Sequence, residues 1–544
     1  IYLGGNLSDL SDPHQMKDMD RLVEILAQKI RKQAHIRIIG DYDVDGVTSS
    51  HLFLTALRRV GAKVDVVIPH RIQDGYGLSL HLLQQAKEDG VDTILTCDNG
   101  IAAIDEIAWA KAQKMTVLVT DHHAVPFEEH EGRRTEKKSL ADAVVNPHQQ
   151  DCGYPYKELC GAGVAWNVIR VLYENYDMDK REAEDLLDFV AMATVCDVMS
   201  LTGENRILVK EGLKRIRHTK NIGLQALMQA CNVQPENISA YHFGYVLGPC
   251  VNATGRLDTA RHALRLFETG QETEAEEIAR DLVDLNQERK ELTLQGVEMA
   301  KKLCEEGGYE NDPVLVLFLP DVHESIAGLI AGRIREMYNR PVFVLTRGEE
   351  GVKGSGRSTE NYSMYENMCG CAELFTKFGG HPMAAGLSLP EENVEKFRRK
   401  INENCPLTVE EVCPDIHIDM AMPVGYASTE LVHQFALLEP FGKDNPSPLF
   451  ADRNLSISRM WVIGKNRNVL RMSVLSEYGQ PVPVIFFGDV ETLFAYFTEK
   501  FGQKEVENAL HGRKNRILFS MVYTAKIDFY QGNENLQLEM KYYR

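Results

Sequence analysis

The chain has 544 residues, 44% of them hydrophobic, and a formal net charge of -19. Three or four structural units are expected from that length, and no apolar run reaches the roughly 18 residues needed to span a bilayer. So acidic a chain has no general attraction for nucleic acid or anionic membranes, and a polyanionic substrate must be caught by a local basic groove or through bound metal.

Eleven cysteines, an odd number with no CxxC pair, argue against a disulfide framework or a zinc site and for a reducing, cytoplasmic setting. No signal-peptide pattern opens the chain, which starts at Ile1 without a Met, as a trimmed sequence would.

In chain order, "IRIIGDYDVDGVTSS" (36–50) reads as an apolar strand followed by Asp41, Asp43 and Asp45, then by Gly46 and small hydroxyl residues. One Asp would serve to cap the next helix. Three carboxylates with nothing cationic beside them in sequence repel one another, and a bound divalent cation relieves that repulsion. Next come a helix through "HLFLTALRRVGA", a strand "KVDVVIP", a helix "SLHLLQQAKEDG", a strand "VDTILTC", a helix "AAIDEIAWAKAQ" and a strand "MTVLVT". Such alternation predicts a parallel sheet with right-handed crossovers. Ligands of these sheets collect beyond the carboxyl ends of the strands.

Those ends carry the chemistry. "VDTILTC" runs into Asp98-Asn99-Gly100, and "MTVLVT" into Asp121-His122-His123. A later helical run, "LLDFVAMATVCDVMSL", is apolar except for Asp188 and Asp197. Asp197 alone could be a helix-terminal cap, and His122 and His123 alone could be ordinary turn residues. Together with the triplet they form an inventory of carboxylates with one or two imidazoles and no thiolate. That set suits Mn²⁺ or Mg²⁺. It exceeds what one ion needs, so two ions about 3.5–4 Å apart, activating a water for phosphate ester or anhydride hydrolysis, are the economical reading.

Residues 272–308 lack Pro, carry a single internal Gly (Gly296) before a terminal glycine pair, and predict one long helix between domains. "PVLVLFLP" and "PVFVLT" predict strands of a second α/β unit, and "GVKGSGRSTENYS" a small-residue loop whose Lys353, Ser355 and Arg357 suit a phosphate. From about residue 410, "IHIDMAM", "LSISRMWVI", "NVLRMSV", "PVPVIFF", "ILFSMVYTAKI" and "LQLEMKYY" predict a small barrel. Lys465, Arg467 and Arg471 lie there with Trp461, a basic stretch with an aromatic that suits single strands, or an ordinary hairpin with solvated charges.

The motifs "DYDVDG", "CDNG", "DHH" and "TVCDVMSL", in this order, resemble the four motifs of the DHH phosphoesterase superfamily. "VNATGR" (251–256), "GSGRS" (354–358), "GGHPMAAG" (379–386) and "EPFGKDNPSPLF" (439–450) resemble the rest of the RecJ family of single-strand-specific exonucleases, with its DHHA1 and OB-fold domains. One departure is "DVHESIAGLIAGRI" (321–334), where many relatives carry a Trp before the His.

The resemblance implies a DHH catalytic domain over 1–258, a connecting helical segment over 259–309, a DHHA1 substrate-binding domain over 310–405 and an OB-fold domain over 406–544. It implies metal ligands among Asp41, Asp43 and Asp45, with two of the three binding directly, a bridging Asp98, a His122 ligand and an Asp197 ligand. His123 is expected as an acid or leaving-group contact. Arg71, Tyr76, Asn252, Arg256, Ser355, Arg357 and His381 are expected at the substrate. The implied activity is 5′→3′ exonucleolytic hydrolysis of single-stranded DNA to 5′-mononucleotides in repair and recombination. The implied partners are a helicase and a single-strand-binding protein. Two rivals are a phosphoesterase for short oligonucleotides or cyclic dinucleotides, and a non-catalytic replication scaffold. The terminal barrel disfavours the first, and a candidate ligand at every motif disfavours the second.

Overall fold

The computed structural model describes residues 2–544 except 72, 73, 76, 131, 132, 349, 350, 408–415, 465, 466, 531 and 532. The chain divides into two compact units: Asn6–Met199 with Gly203–Pro414, and Asp415–Arg544 with Ile1–Gly5 and Ser200–Thr202. Among the described residues no helix is long and apolar enough to cross a membrane.

The larger unit opens with the expected parallel sheet. Its strands lie in the order Lys63–Val67, His35–Ile39, Thr93–Cys97, Thr116–Thr120 and Ala143–Val145. All four pairings are parallel. Helices such as Val44–Arg59 and Ile104–Ala112 form the crossovers. Chain order reverses direction between His35–Ile39 and Thr93–Cys97, which places the switch point of the sheet between the strands leading to the Asp triplet and to Asp98.

The long helix spans Glu272–Gly307 and ends on Gly308 at φ 67°. A second sheet follows in the order Lys377–Gly380, Ala384–Leu389, Gly351–Arg357, Val342–Gly348 and Leu315–Phe318. Here the structure corrects the predicted loop, because Gly351–Arg357 is an interior strand. Its glycines Gly354 and Gly356 lie on one face and answer to packing there. A Cβ on Gly354 would sit 2.4 Å from Leu345 Cδ2, and one on Gly356 2.6 Å from Met364 Sδ.

In the smaller unit, Phe450–Ile463, Val469–Leu475, Pro481–Phe487, Asn533–Tyr543 and Leu518–Tyr530 pair in that order, and the first pairs with the last to close a five-stranded barrel. Leu470, Met472, Val484, Met521 and Leu538 are among its buried core. The helices Val490–Phe501 and Gln503–Leu510, not foreseen from sequence, are inserted between the third and fourth barrel strands of the chain.

Candidate metal centre and substrate cavity

The three carboxylates of the opening motif do different jobs because the chain turns from strand to helix among them. Asp41 follows the strand and is 1% exposed. Asp43 is the N-cap, its Oδ1 accepting the Gly46 N–H at 3.0 Å. Asp45 lies in the first helical turn and accepts the N–H groups of Gly161 (2.6 Å) and Ala162 (2.7 Å). Those two residues open the helix Gly161–Asn175, whose N-terminus favours a negative charge. Burial nevertheless pushes the Asp45 carboxyl up to about 7.

Asp98 leaves its strand at φ 62°, a left-handed conformation that Asp tolerates better than most residues. His122 is buried, and its Nε2 faces three carboxylates: Asp98 Oδ1 at 3.1 Å, Asp197 Oδ2 at 3.6 Å and Asp45 Oδ2 at 3.7 Å. Burial, reinforced by His123, lowers the His122 imidazole to about 4, so the ring is neutral near pH 7 with a lone pair to give. Asp197 stands directly after the helix Leu187–Cys196.

Asp121, which sequence reasoning left without a role, orients the histidines. Its Oδ1 accepts the backbone N–H groups of His122 (2.7 Å) and His123 (3.0 Å) and faces His123 Nδ1 at 2.8 Å, while Oδ2 accepts the Ile101 N–H at 2.9 Å. Burial works against a charged Asp121, but the His123 hydrogen bond and both imidazoles hold its carboxyl below the usual range. Burial likewise opposes a charged His123, yet the bond to Asp121 and nearby carboxylates raise it to about 9.

Ligand atoms gather in three overlapping groups, each within 4.8 Å: Asp41, Asp43 and Asp98; Asp45, His122 and Asp197; Asp98, His122 and His123. Asp41 Oδ1 and His122 Nε2 are buried and make no hydrogen bond among the described residues. Burial and neighbouring carboxylates push Asp41 and Asp98 well above the usual carboxylate range. Such a cluster is costly without a neutralising cation. Its oxygen-rich donors with one imidazole fit Mn²⁺ or Mg²⁺.

Tyr42, between two of these carboxylates, also lines a cavity of about 460 Å³ that is shared with Arg71, Arg256, Lys353, Ser355 and Arg357. Arg71 lies over the Tyr42 ring at 5.0 Å. Arg256 donates to the Ser325 carbonyl at 2.6 Å, and Arg357 to the Gly356 carbonyl at 2.7 Å. Burial and the neighbours Arg71, Arg289 and Arg357 lower Arg256 to about 9, and burial with Arg71 and Arg335 lowers Arg357. Guanidiniums that crowd one another in this way call for an anion.

Of the expected substrate residues, the structure brings Arg71, Arg256, Ser355 and Arg357 together. Asn252 instead accepts the Val44 N–H at 3.1 Å and braces the metal-motif turn. His381 is exposed in the hairpin between Lys377–Gly380 and Ala384–Leu389 and does not line the cavity. Tyr76 lies outside the described residues.

Three segments match known families: the DHH family, N-terminal domain, over 35–194; the DHHA1 domain over 311–405; and the RecJ OB domain over 418–542. The chain is 32% identical over 561 residues to the single-stranded-DNA-specific exonuclease RecJ of Haemophilus influenzae, an alignment that covers 99% of this chain and 93% of that protein. The chain belongs to the RecJ family. Against RecJ of Bacillus subtilis it is 33% identical over 88% of its length and spans 60% of that relative. The crystal structure of RecJ in complex with Mn²⁺ from Thermus thermophilus superposes with a TM-score of 0.78 at 26% identity, covering 97% of this chain and 72% of that one. A structure of exonuclease RecJ bound to manganese gives 0.62 at 31% identity, covering 73% and 96% respectively.

Two further features of this RecJ-family site escaped the sequence reading. Tyr42 passed unnoticed inside the Asp triplet, although it joins the metal motif to the cavity. The Gly161 and Ala162 donors could have been sought at "CGAGVAW", where small residues open a helix.

Proposed function

We propose that this chain is a metal-dependent exonuclease that degrades single-stranded DNA in the 5′→3′ direction to 5′-mononucleotides, in DNA repair and recombination, with two Mn²⁺ or Mg²⁺ ions. The observation that carries the reading is Tyr42: flanked by Asp41 and Asp43, it lines the arginine cavity, so a phosphate held there shares one cleft with the carboxylate cluster.

Asp41, Asp43 and Asp98 would hold one ion, and His122 and Asp197 the other, with Asp98 between them and Asp45 shared between that second group and the Gly161 helix. When bound, the ions supply an activated water and neutralise charge developing on phosphorus. The protein's own groups do the rest. Neutral His122 keeps a donor atom available, and Asp121 fixes the pose of His123, whose proton would serve the departing oxygen. Arg71, Arg256, Ser355 and Arg357 clamp backbone phosphates. Ten free cysteines among the described residues support a reducing, cytoplasmic setting. An enzyme of this kind needs unwound strands, which supports a helicase and a single-strand-binding protein as partners.

The Arg357→Ala variant should bind single strands more weakly. Its log Kd against log salt should be flatter by about 0.7, the value of one lost phosphate contact on a single strand. An unchanged slope removes Arg357 from the clamp.

The barrel is proposed to hold the strand while the metal site cuts it. Arg459 lies over the Trp461 ring at 5.6 Å, and Trp461 pairs with Arg471 across the strands. Lys465, expected in the same basic stretch, lies outside the described residues. A chain ending at residue 405 should still cut short oligonucleotides but lose affinity for longer ones, at roughly 1–3 kcal/mol per unstacked base. Equal losses at every length would make the barrel a folding support only.

The proposed activity is tested with oligonucleotides labelled at either end, single- and double-stranded, with and without Mn²⁺ or Mg²⁺. Metal-dependent release of mononucleotides from the 5′ end of single strands is expected. Release from the 3′ end, or equal cutting of duplexes, contradicts it.

A further inference from the structure

Just before the helix Gly248–Leu257, which carries Asn252 and Arg256, the chain passes through the short helix Ala240–His242 and a π-helical turn, Phe243–Leu247. Such π-turns are rare and are frequent at functional sites. The short helix and the π-turn together bury Phe243 and Leu247 and leave Tyr241 and Tyr245 62% and 71% exposed. Their rings stack on each other with centroids 5.1 Å apart and planes 26° apart.

The position of this pair matters. Cys196 Sγ donates to the Phe243 carbonyl at 3.3 Å, and a Cβ on Gly248 would lie 2.3 Å from that sulfur. The π-turn is therefore packed on the end of the helix Leu187–Cys196, whose next residue is Asp197. Val198, after it, is 62% exposed at φ 55°, a conformation that costs a β-branched residue dearly. Downstream, the same helical run delivers Arg256 to the cavity.

We propose that Tyr241 and Tyr245 form a platform on which bases of the single-stranded substrate stack as the strand passes the Asp197 side of the metal centre. An aromatic face accepts every base, so it holds a strand without reading its sequence. At a net charge of -19, a non-electrostatic grip beside the cutting site adds to what the arginine cavity can supply. The pair is continuous with the proposed substrate path, since one helical run joins it to Arg256. This inference rests on the single-strand reading given above.

The test uses the full chain in EDTA, which stops hydrolysis, with oligonucleotides carrying 2-aminopurine at successive positions. Wild type should quench the probe strongly at one or two adjacent positions. The Tyr241→Ala/Tyr245→Ala variant should lose that quenching and bind about 10-fold more weakly, whereas Tyr241→Phe/Tyr245→Phe should keep both. An independent scan of wild type, moving a single abasic site along the strand, should weaken binding at the same positions. The same quenching profile in the Ala variant as in wild type, or a flat abasic scan, overturns the platform. Failure of wild type to bind single strands at all overturns the functional reading instead.

Discussion

Replacing Asp98 with Ala is expected to lower hydrolysis by on the order of 10³-fold or more, because this carboxylate belongs to two of the three candidate ligand groups and is proposed to position both ions. The geometry leaves little to take its place. Asp98 Oδ1 lies 3.1 Å from His122 Nε2 and 3.9 Å from His123 Nδ1, at the centre of the cluster. Binding of single strands through the arginine cavity should fall far less, since none of the cavity's lining residues is a candidate ligand. Single-turnover rates at saturating Mn²⁺, with binding measured separately, check both halves. A variant that turned over at a near-normal rate would remove Asp98 from the metal centre.

Gly46→Ala is the second change expected to be severe, and for a steric reason. A Cβ at this position would lie 2.5 Å from the N, Cα and O atoms of Asp41. These are backbone atoms of the metal motif and have no rotamer with which to yield. Within a helix, Gly→Ala ordinarily stabilises by up to about 1 kcal/mol. Overpacking of this kind costs roughly 1–3 kcal/mol, so the net effect should be destabilising. The strain falls on Asp41 itself, and Mn²⁺ affinity or activity should drop by about 10–100-fold, as for other groups that orient ligands. Thermal melting with and without Mn²⁺ reads both effects. A variant as stable as wild type, with unchanged Mn²⁺ response, would show that the turn can open at no cost.

The candidate site was legible in the sequence where chemistry conflicts with local preference. Asp41, Asp43 and Asp45 stood out because three carboxylates do not belong between a strand and a helix, and Asp197 because it interrupts an apolar run. What the sequence hid depends on long-range contact. Asp121 looked like one more acidic strand end, and only its bonds to Ile101, His122 and His123 show it as the group that orients the histidines. The donors to Asp45 lie 116 and 117 residues away, and Asn252 meets Val44 across 208. The glycines of Gly351–Arg357 were read as loop formers, although they answer to side chains from neighbouring strands and a helix. The parallel sheet and most barrel strands followed from periodicity and the long helix from composition, whereas the inserted helix Val490–Phe501 is rich in Val, Thr, Phe and Tyr and so carries the composition of a strand.

Counting bound metal gives the most direct test of the paired site. Equilibrium dialysis of the full chain against Mn²⁺ should find two ions per chain in wild type. The count should fall in Asp98→Ala and stay at two in Arg357→Ala, whose side chain lines the cavity and not the cluster. One ion or none in wild type would contradict a two-metal centre at the ends of the parallel strands.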